Sequence, residues 1–327
     1  MTRRSAQHIL VERYGGPEVL EWVSAEVGDP GPGEVRLQHA AVGLNFIDVY
    51  HRTGYYERPL PLTPGVEAAG VVDAVGEGVD HLKAGDRVAY VGPLGAYSES
   101  RLIKADTLVR IPGSMSFETA AAVMLKGLTA HMLVRRVYSV KPGDRILVHA
   151  AAGGTGLLLC QWAAHLGATV IGTVSTEAKA ELAASHGCHH PIVASGSDFV
   201  MEVARLTEGR KLPVVYDSVG QASFLKSLDC LAPRGLMVSF GQASGAVDPF
   251  APGLLAEKGS LYLTRPSLFS YIATRAELES AANDLFGMLG SGALRVEINQ
   301  RFPLSDARAA HAALESRRTT GSTILTV

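Results

Sequence analysis

Residues 145–179 constrain the fold more than any other stretch of the chain. A short apolar run, Ile146-Leu147-Val148, passes into His149-Ala150-Ala151-Ala152-Gly153-Gly154-Thr155-Gly156. A helix-compatible segment follows over 157–166, closed by Gly167, and then a second apolar run, Thr169-Val170-Ile171-Gly172-Thr173-Val174. Continuous apolar runs of this length are how parallel strands buried on both faces read. A glycine turn that opens a helix points free backbone N–H groups and the positive end of the helix dipole outward, which makes an anion site. Ala152, Gly153, Gly154, Thr155 and Gly156 are therefore read as the cradle of a dinucleotide diphosphate. The expected pattern is G-x-G-x-x-G, and Ala150 stands where its first glycine would be. A turn with no ligand is the plainer reading of a glycine cluster; the flanking strand, helix and strand favour the cofactor.

At 327 residues the chain exceeds the size at which one core usually keeps growing, so two domains are expected. Lys plus Arg number 30 against 32 for Asp plus Glu, a balance that disfavours a nucleic-acid binder, which needs a concentrated basic surface. The basic start, Met1-Thr2-Arg3-Arg4, is not followed by the apolar core of a signal peptide. No uninterrupted apolar run is long enough to span a bilayer. Cys160, Cys188 and Cys230 are odd in number and far apart in sequence, which fits buried thiols in a reduced, cytoplasmic protein.

Residues 6–100 carry short strands punctuated by Gly and Pro, the pattern of a small twisted barrel or sandwich. Near Ser116 the period changes, with a serine-capped helix over 116–122 continued over 126–138. From Lys141 strands and helices alternate: helices over 176–186, 199–207 and 223–231, strands over 191–193, 212–217, 235–240 and 260–264. Such alternation implies a doubly wound parallel sheet of Rossmann type. A long helix over 275–291 precedes a tail, 292–327, that mixes strand, helix and a final apolar strand. The tail is assigned to the first domain, so 1–125 and 266–327 form one domain and 126–265 the dinucleotide-binding one.

Dinucleotide sites that take NAD end the second strand with an acidic residue that holds the ribose diol. Here that strand ends Val174-Ser175-Thr176, with Lys179 close behind. A hydroxyl and a cation suit a 2′-phosphate, so Ser175 and Lys179 point to NADPH.

Seven stretches, in order, carry a family resemblance. They are Gly15-Gly16-Pro17-Glu18-Val19-Leu20, Gly43-Leu44-Asn45-Phe46-Ile47-Asp48, Pro64-Gly65-Val66-Glu67-Ala68-Ala69-Gly70, Lys126-Gly127-Leu128-Thr129, 150–156, Val215-Tyr216-Asp217-Ser218-Val219-Gly220 and Thr264-Arg265-Pro266-Ser267. The chain resembles, over essentially its whole length, the zinc-independent, zeta-crystallin-like quinone oxidoreductases of the medium-chain dehydrogenase/reductase superfamily. The resemblance implies an α/β protein, a Rossmann-type doubly wound sheet plus a mainly β, GroES-like catalytic domain. It also implies NADPH as cofactor, a small quinone as substrate and a homodimer paired through the cofactor-domain sheet; the balanced charge and the short apolar runs point to no nucleic-acid or membrane partner.

By the same resemblance Asn45 lies near the nicotinamide ribose, and Tyr50 and Tyr56 line the acceptor pocket. Thr129, Ser218, Phe240, Gly241, Ser267 and Arg317 border the cofactor, while Asp48 and Glu67 are structural partners. Each tyrosine reads equally as a packing residue. Asn45 and Val66 occupy the positions similar to the first Cys and the His that hold zinc in the alcohol dehydrogenases, and neither supplies thiolate or imidazole, so no metal is expected. His186, Cys188, His189 and His190 are ligand types at close spacing, read here as loop residues. Some bacterial members carry a tyrosine for the 2′-phosphate after the third strand; Ile192-Val193-Ala194-Ser195-Gly196 has none. Without a Lewis acid the acceptor must take a hydride readily by itself, as a quinone does. An enone or alkenal is the alternative acceptor, and a structural or RNA-binding zeta-crystallin-like protein the alternative outside enzymes.

Overall fold

The computed structural model describes residues 4–194, 198–316 and 318–327. Arg317 and the pair Ser195 and Gly196, both used in the sequence reading, lie outside the described residues. Strands β1 (Arg4–Leu10) and β2 (Glu21–Val27) form an antiparallel hairpin. Next come β3 (Glu34–Leu44), α1 (Phe46–Thr53), β4 (Glu67–Val75), β5 (Arg87–Val91), β6 (Ser100–Lys104) and β7 (Leu108–Arg110). Helix α2 (Phe117–Met132) is capped by Ser116 Oγ, which accepts from Thr119 N at 3.0 Å, and widens into a π-helical turn at Leu133–Val137.

Alternation then sets in: β8 (Arg145–Val148), α3 (Gly154–His165), β9 (Thr169–Val174), α4 (Glu177–Ala184), β10 (His190–Val193), α5 (Phe199–Leu206), β11 (Leu212–Asp217), α6 (Phe224–Asp229), β12 (Leu231–Ser239), α7 (Gly253–Glu257) and β13 (Tyr262–Thr264). Helix α8 (Arg275–Gly290), β14 (Ile298–Pro303), α9 (Ala307–Glu315) and β15 (Ser322–Thr326) complete the chain.

Two compact units result. One comprises 1–126, 273–286 and 296–327; the other comprises 127–272 and 287–295. Against the boundaries drawn from sequence, 266–272 and 287–295 group with the second unit, and the division falls inside α8.

In the first unit, β3 is the centre of a seven-stranded sheet because its 11 residues pair with β4 and β6 and also with β15. Its inward side chains, Val35, Leu37, Val42 and Leu44, join Val72, Val88, Tyr90, Tyr97 and Leu325 in one core. Alternation of inward and outward residues makes this face possible.

In the second unit six parallel strands run in the order β10-β9-β8-β11-β12-β13. Leu147, Ile171, Val215 and Met237 fill the core against Phe199, Phe224 and Leu228 of α5 and α6. The helix expected over 223–231 is shorter than the sequence suggests. Leu231 is drawn instead into β12, where it pairs with Leu212 ahead of a register shift.

Candidate active site

The order of the second sheet reverses between β8 and β11, the position at which doubly wound sheets bind ligands beyond the strand C-termini. The glycine turn sits there, directly after β8. Leu157 N makes the first backbone bond of α3, to Gly153 O at 2.8 Å, so the N–H groups ahead of it have no partner within the helix. No acidic residue stands in the first turn of α3. Gly156 is required by close approach: a Cβ there would run into the backbone of Ala150 and Ala151. Ala150, in the place of the first glycine of the pattern, takes φ 52°, a left-handed conformation that an L residue adopts at a cost. The turn thus keeps the glycine-type geometry without the glycine, and its donors, dipole and bare approach fit a diphosphate.

Of the other residues singled out in this unit, all but Thr129 follow the C-terminal ends of its strands. Ser175 follows β9, with Lys179 in the first turn of α4, whose cap is Thr176. Ser218 follows β11, and Phe240 and Gly241 follow β12; Phe240 N and Gly241 N both bond to Asp217 O, at 2.8 and 3.2 Å. Asp217 is fully buried and organises this corner by accepting from Val219 N, Gly220 N and Ser223 Oγ. Ser267 comes three residues after β13. Thr129 stands on α2, half-buried, and not at a strand end. Below the turn His149 is buried, its Nδ1 and Nε2 each 2.8 Å from Thr173 Oγ1 and Ser227 Oγ; burial holds its pKa down, so it is a neutral strut.

The first unit holds Asn45, Tyr50 and Tyr56 on and around α1. Asn45 caps the helix, and Asp48 Oδ2 accepts from its backbone N–H at 2.9 Å. Phe46 and Tyr50 lie four apart on one helix face, with ring centroids 5.3 Å apart. Tyr50 and Tyr56 meet edge to face at 5.1 Å, and Tyr55 adds a third ring, 5.3 Å from both. Tyr55 is absent from the sequence reading, although the Tyr-Tyr pair after a left-handed Gly54 marks it.

Beneath α1 lies a cluster that the sequence reading treated as scaffold. Asn45 Nδ2 donates to Glu67 Oε1 at 2.7 Å, Leu125 N to Glu67 Oε2 at 2.6 Å, and Lys126 Nζ to Glu67 Oε1 at 3.0 Å and Leu44 O at 3.1 Å. Gly43 makes room for the carboxylate, since a Cβ there would strike Glu67 and Ala121 O. Three separate motifs, 43–48, 64–70 and 126–129, therefore converge on one carboxylate. Asp48 is fully buried beside this cluster. Burial, opposed by the Asn45 N–H and reinforced by the Glu67 charge, pushes its pKa up to about 7.

The donor set does not fit zinc. Asn45 uses its amide on Glu67 and Val66 has no donor, and among the described residues no group of three or more His, Cys, Asp or Glu could hold a metal ion. The ligand types after α4 are otherwise engaged: His186 Nδ1 bonds to Leu182 O, Cys188 Sγ is directed to Val170 O, and His189 Nδ1 accepts from Val170 N. Among the described residues no helix is long and apolar enough to cross a membrane.

A GroES-like sheet domain joined to a doubly wound dinucleotide sheet defines a medium-chain dehydrogenase/reductase. Residues 31–113 match the alcohol dehydrogenase GroES-like domain and 154–285 the zinc-binding dehydrogenase family. The chain is 53% identical over 322 residues to quinone oxidoreductase of Pseudomonas aeruginosa, covering 98% of this chain and 99% of that one. The crystal structure of Escherichia coli quinone oxidoreductase complexed with NADPH superposes with a TM-score of 0.97 at 50% identity, over 98% of this chain and 100% of that one. The 2-haloacrylate reductase of a Burkholderia species is 46% identical over 325 residues, 97% of each chain. The chain belongs to the quinone oxidoreductase family of the medium-chain dehydrogenase/reductase superfamily.

Proposed function

We infer that the protein is an NADPH-dependent quinone oxidoreductase that transfers reducing equivalents to a quinone without a metal. The observation that carries this reading is the glycine turn at the switch point of the sheet, followed at the end of β9 by Ser175 and Lys179 in place of a carboxylate. NADPH, when bound, supplies the hydride. The backbone N–H groups of 154–156 hold its diphosphate, and Ser175 and Lys179 hold the 2′-phosphate through a hydroxyl donor and a cation. Thr129, Ser218, Phe240, Gly241, Ser267 and Arg317 complete the cofactor contacts. Asn45 orients the nicotinamide end, and Tyr50 and Tyr56 orient the acceptor by ring stacking and by donation from their hydroxyls. The roles of Ser175, Ser218, Phe240, Gly241 and Ser267 rest on strand-end placement and those of Tyr50 and Tyr56 on the aromatic cluster of α1, whereas those of Thr129 and Arg317 rest on the family resemblance.

The test is steady-state NADPH oxidation with 1,4-benzoquinone, with an alkenal and with 2-chloroacrylate in parallel. Preference for the quinone is expected. Reduction of an activated alkene is the second reading, favoured by the likeness to a 2-haloacrylate reductase; a strong preference for either alkene would replace the first. A homodimer joined along β13 and a cytoplasmic location belong to the same reading. The first is supported by exposed Tyr262 and Leu263 on that sheet edge, the second by three free, buried cysteines.

A further inference from the structure

Lys126 has no role in the sequence reading, yet it is the cation of the buried cluster in the first unit. The residue is 7% exposed and Glu67 is wholly buried. An ammonium has three N–H donors. Leu44 O and Glu67 Oε1 take two, at 3.1 and 3.0 Å, and the tetrahedral nitrogen then fixes the direction of the third. Glu67 is itself held at both oxygens, by Asn45 Nδ2 on Oε1 and Leu125 N on Oε2, which resists its turning to follow the ammonium. A buried ion pair gives up much hydration and is often no better for stability than an apolar pair of the same volume. The charge is thus poorly explained by folding alone. Its location is specific, for Leu44 and Glu67 are the immediate neighbours of Asn45 and Val66, which by the family resemblance stand where alcohol dehydrogenases carry two of their zinc ligands.

We propose that Lys126 is the electrophilic group of the reduction, offering its third ammonium N–H to the acceptor oxygen that becomes negative as the hydride arrives. This rests on the quinone-reductase reading above. The acceptor takes up a hydride, that is two electrons and one proton, from NADPH, which leaves as NADP⁺. The negative charge on the remaining acceptor oxygen is met by the Lys126 N–H, fixed in advance by Glu67 and Leu44 O. A proton from water then completes the hydroquinone, and Lys126 remains an ammonium paired to Glu67. In many enzymes a preorganised donor aimed at developing charge lowers the barrier more than any other single device.

The test pairs turnover with a measurement that needs no turnover. Lys126→Met with Glu67→Gln removes both charges, so neither is stranded in the interior. The double variant is expected to lower kcat with benzoquinone by about 100-fold, with NADPH affinity within about twofold of wild type by nicotinamide fluorescence. Lys126→Arg, which keeps a charged donor, is expected to retain more activity than the neutral pair. Separately, 4-nitrophenol, a coloured analogue of the half-protonated hydroquinone, is titrated in the presence of the cofactor-free protein. Bound to wild type it ionises at lower pH than in water, and the shift disappears in the double variant. The proposal is overturned if the double variant, folded by its thermal melt, turns over benzoquinone at the wild-type kcat. It is equally overturned if NADPH affinity falls as far as kcat, or if wild type leaves the nitrophenol ionisation where water has it. Failure of wild type to oxidise NADPH with any quinone would remove the quinone reading instead, and the nitrophenol titration would still decide for or against Lys126.

Discussion

Arg52 Nη1 lies 3.1 Å from His311 Nδ1, both residues being buried, and this contact fixes the tautomer of the histidine. A guanidinium only donates, so Nδ1 is a bare acceptor and the ring proton sits on Nε2. Nε2–H then donates to Tyr97 Oη at 3.0 Å, and Tyr97 O–H in turn to Asp48 Oδ2 at 3.1 Å. Glu315 anchors the far end with a two-point grip on Arg52 at 2.8 and 2.7 Å. The chain cannot carry protons inward from Glu315, because Arg52 does not give one up. It is a one-way set of donors that ends on Asp48 in the first turn of α1.

Two titratable members of this chain, His311 and Asp48, give stability opposite pH dependences. Burial and then Arg52 lower the His311 pKa from 6.5 to about 3. Below pH 6.5 the unfolded histidine binds a proton that the native one refuses, so its contribution is complete above that pH and is lost toward pH 3. Asp48 is raised from 3.8 to about 7, so its contribution is present below pH 3.8 and is lost as pH rises to 7. Each amounts to about 1.4 kcal/mol per pH unit inside its window. Thermal melts from pH 4 to pH 7 are expected to show His311→Gln losing less stability on acidification than wild type. Asp48→Asn should instead gain on wild type as pH rises; parallel curves for all three proteins would contradict both assignments.

At the glycine turn, Ala150→Gly is expected to stabilise the protein by about 1 kcal/mol, because glycine takes a left-handed φ without the penalty that Ala150 carries at 52°. Cofactor binding should be unchanged. Gly156→Ala should act the other way, since its Cβ meets backbone atoms of Ala150 and Ala151 that cannot yield without moving the turn. NADPH affinity measured by fluorescence should fall at least about tenfold, alongside a loss of about 1–3 kcal/mol from overpacking. Gly153→Ala, whose Cβ would lie 3.3 Å from Ala150 O, should be milder.

These effects show what the sequence could and could not reveal. The strand, turn and helix at 145–166 were legible because local pattern and local geometry agree, down to Ala150 standing in for a glycine. Helix ends were less so: Leu231 reads as the continuation of α6, but pairing with Leu212 pulls it into β12. The partnership of Gly43, Asn45, Glu67 and Lys126 was not legible at all. Its members lie in three motifs separated by up to some eighty residues, and nothing in the spacing announces that one carboxylate collects them. The resemblance marked the right stretches yet passed over Lys126, which no local pattern singles out.

The proposed cofactor site assigns the choice of nucleotide to Lys179. Thr176 Oγ1 caps α4 by accepting from the backbone N–H of Lys179 at 3.3 Å, so shortening the side chain leaves the cap in place. A charge-assisted bond to a phosphate is worth enough that Lys179→Ala should weaken NADPH binding by about tenfold or more. NADH, which lacks the phosphate, should bind the variant as it binds wild type. Dissociation constants for both nucleotides check this; equal loss for the two would remove Lys179 from the phosphate site.

The proposed homodimer is built on the sheet edge at β13. β13 pairs with β12 on one side alone and ends the six-stranded sheet, and its Tyr262 and Leu263 are 62% and 38% exposed. An edge with free main-chain donors and acceptors and large apolar side chains recruits another strand unless charge or a bulge prevents it. The described residues of β13 carry no charge, the sequence being Tyr-Leu-Thr. Pairing two copies along this edge would continue the sheet across a twofold axis and cover both apolar side chains. Tyr262→Asp with Leu263→Lys places charge on the edge without altering the core, since both side chains are exposed in the single chain. Sedimentation velocity should give a dimer for wild type and a monomer for this variant. The thermal melt of wild type should rise with protein concentration, and that of the variant should not. A wild-type monomer at micromolar concentration would leave β13 an exposed edge and rule this mode of pairing out.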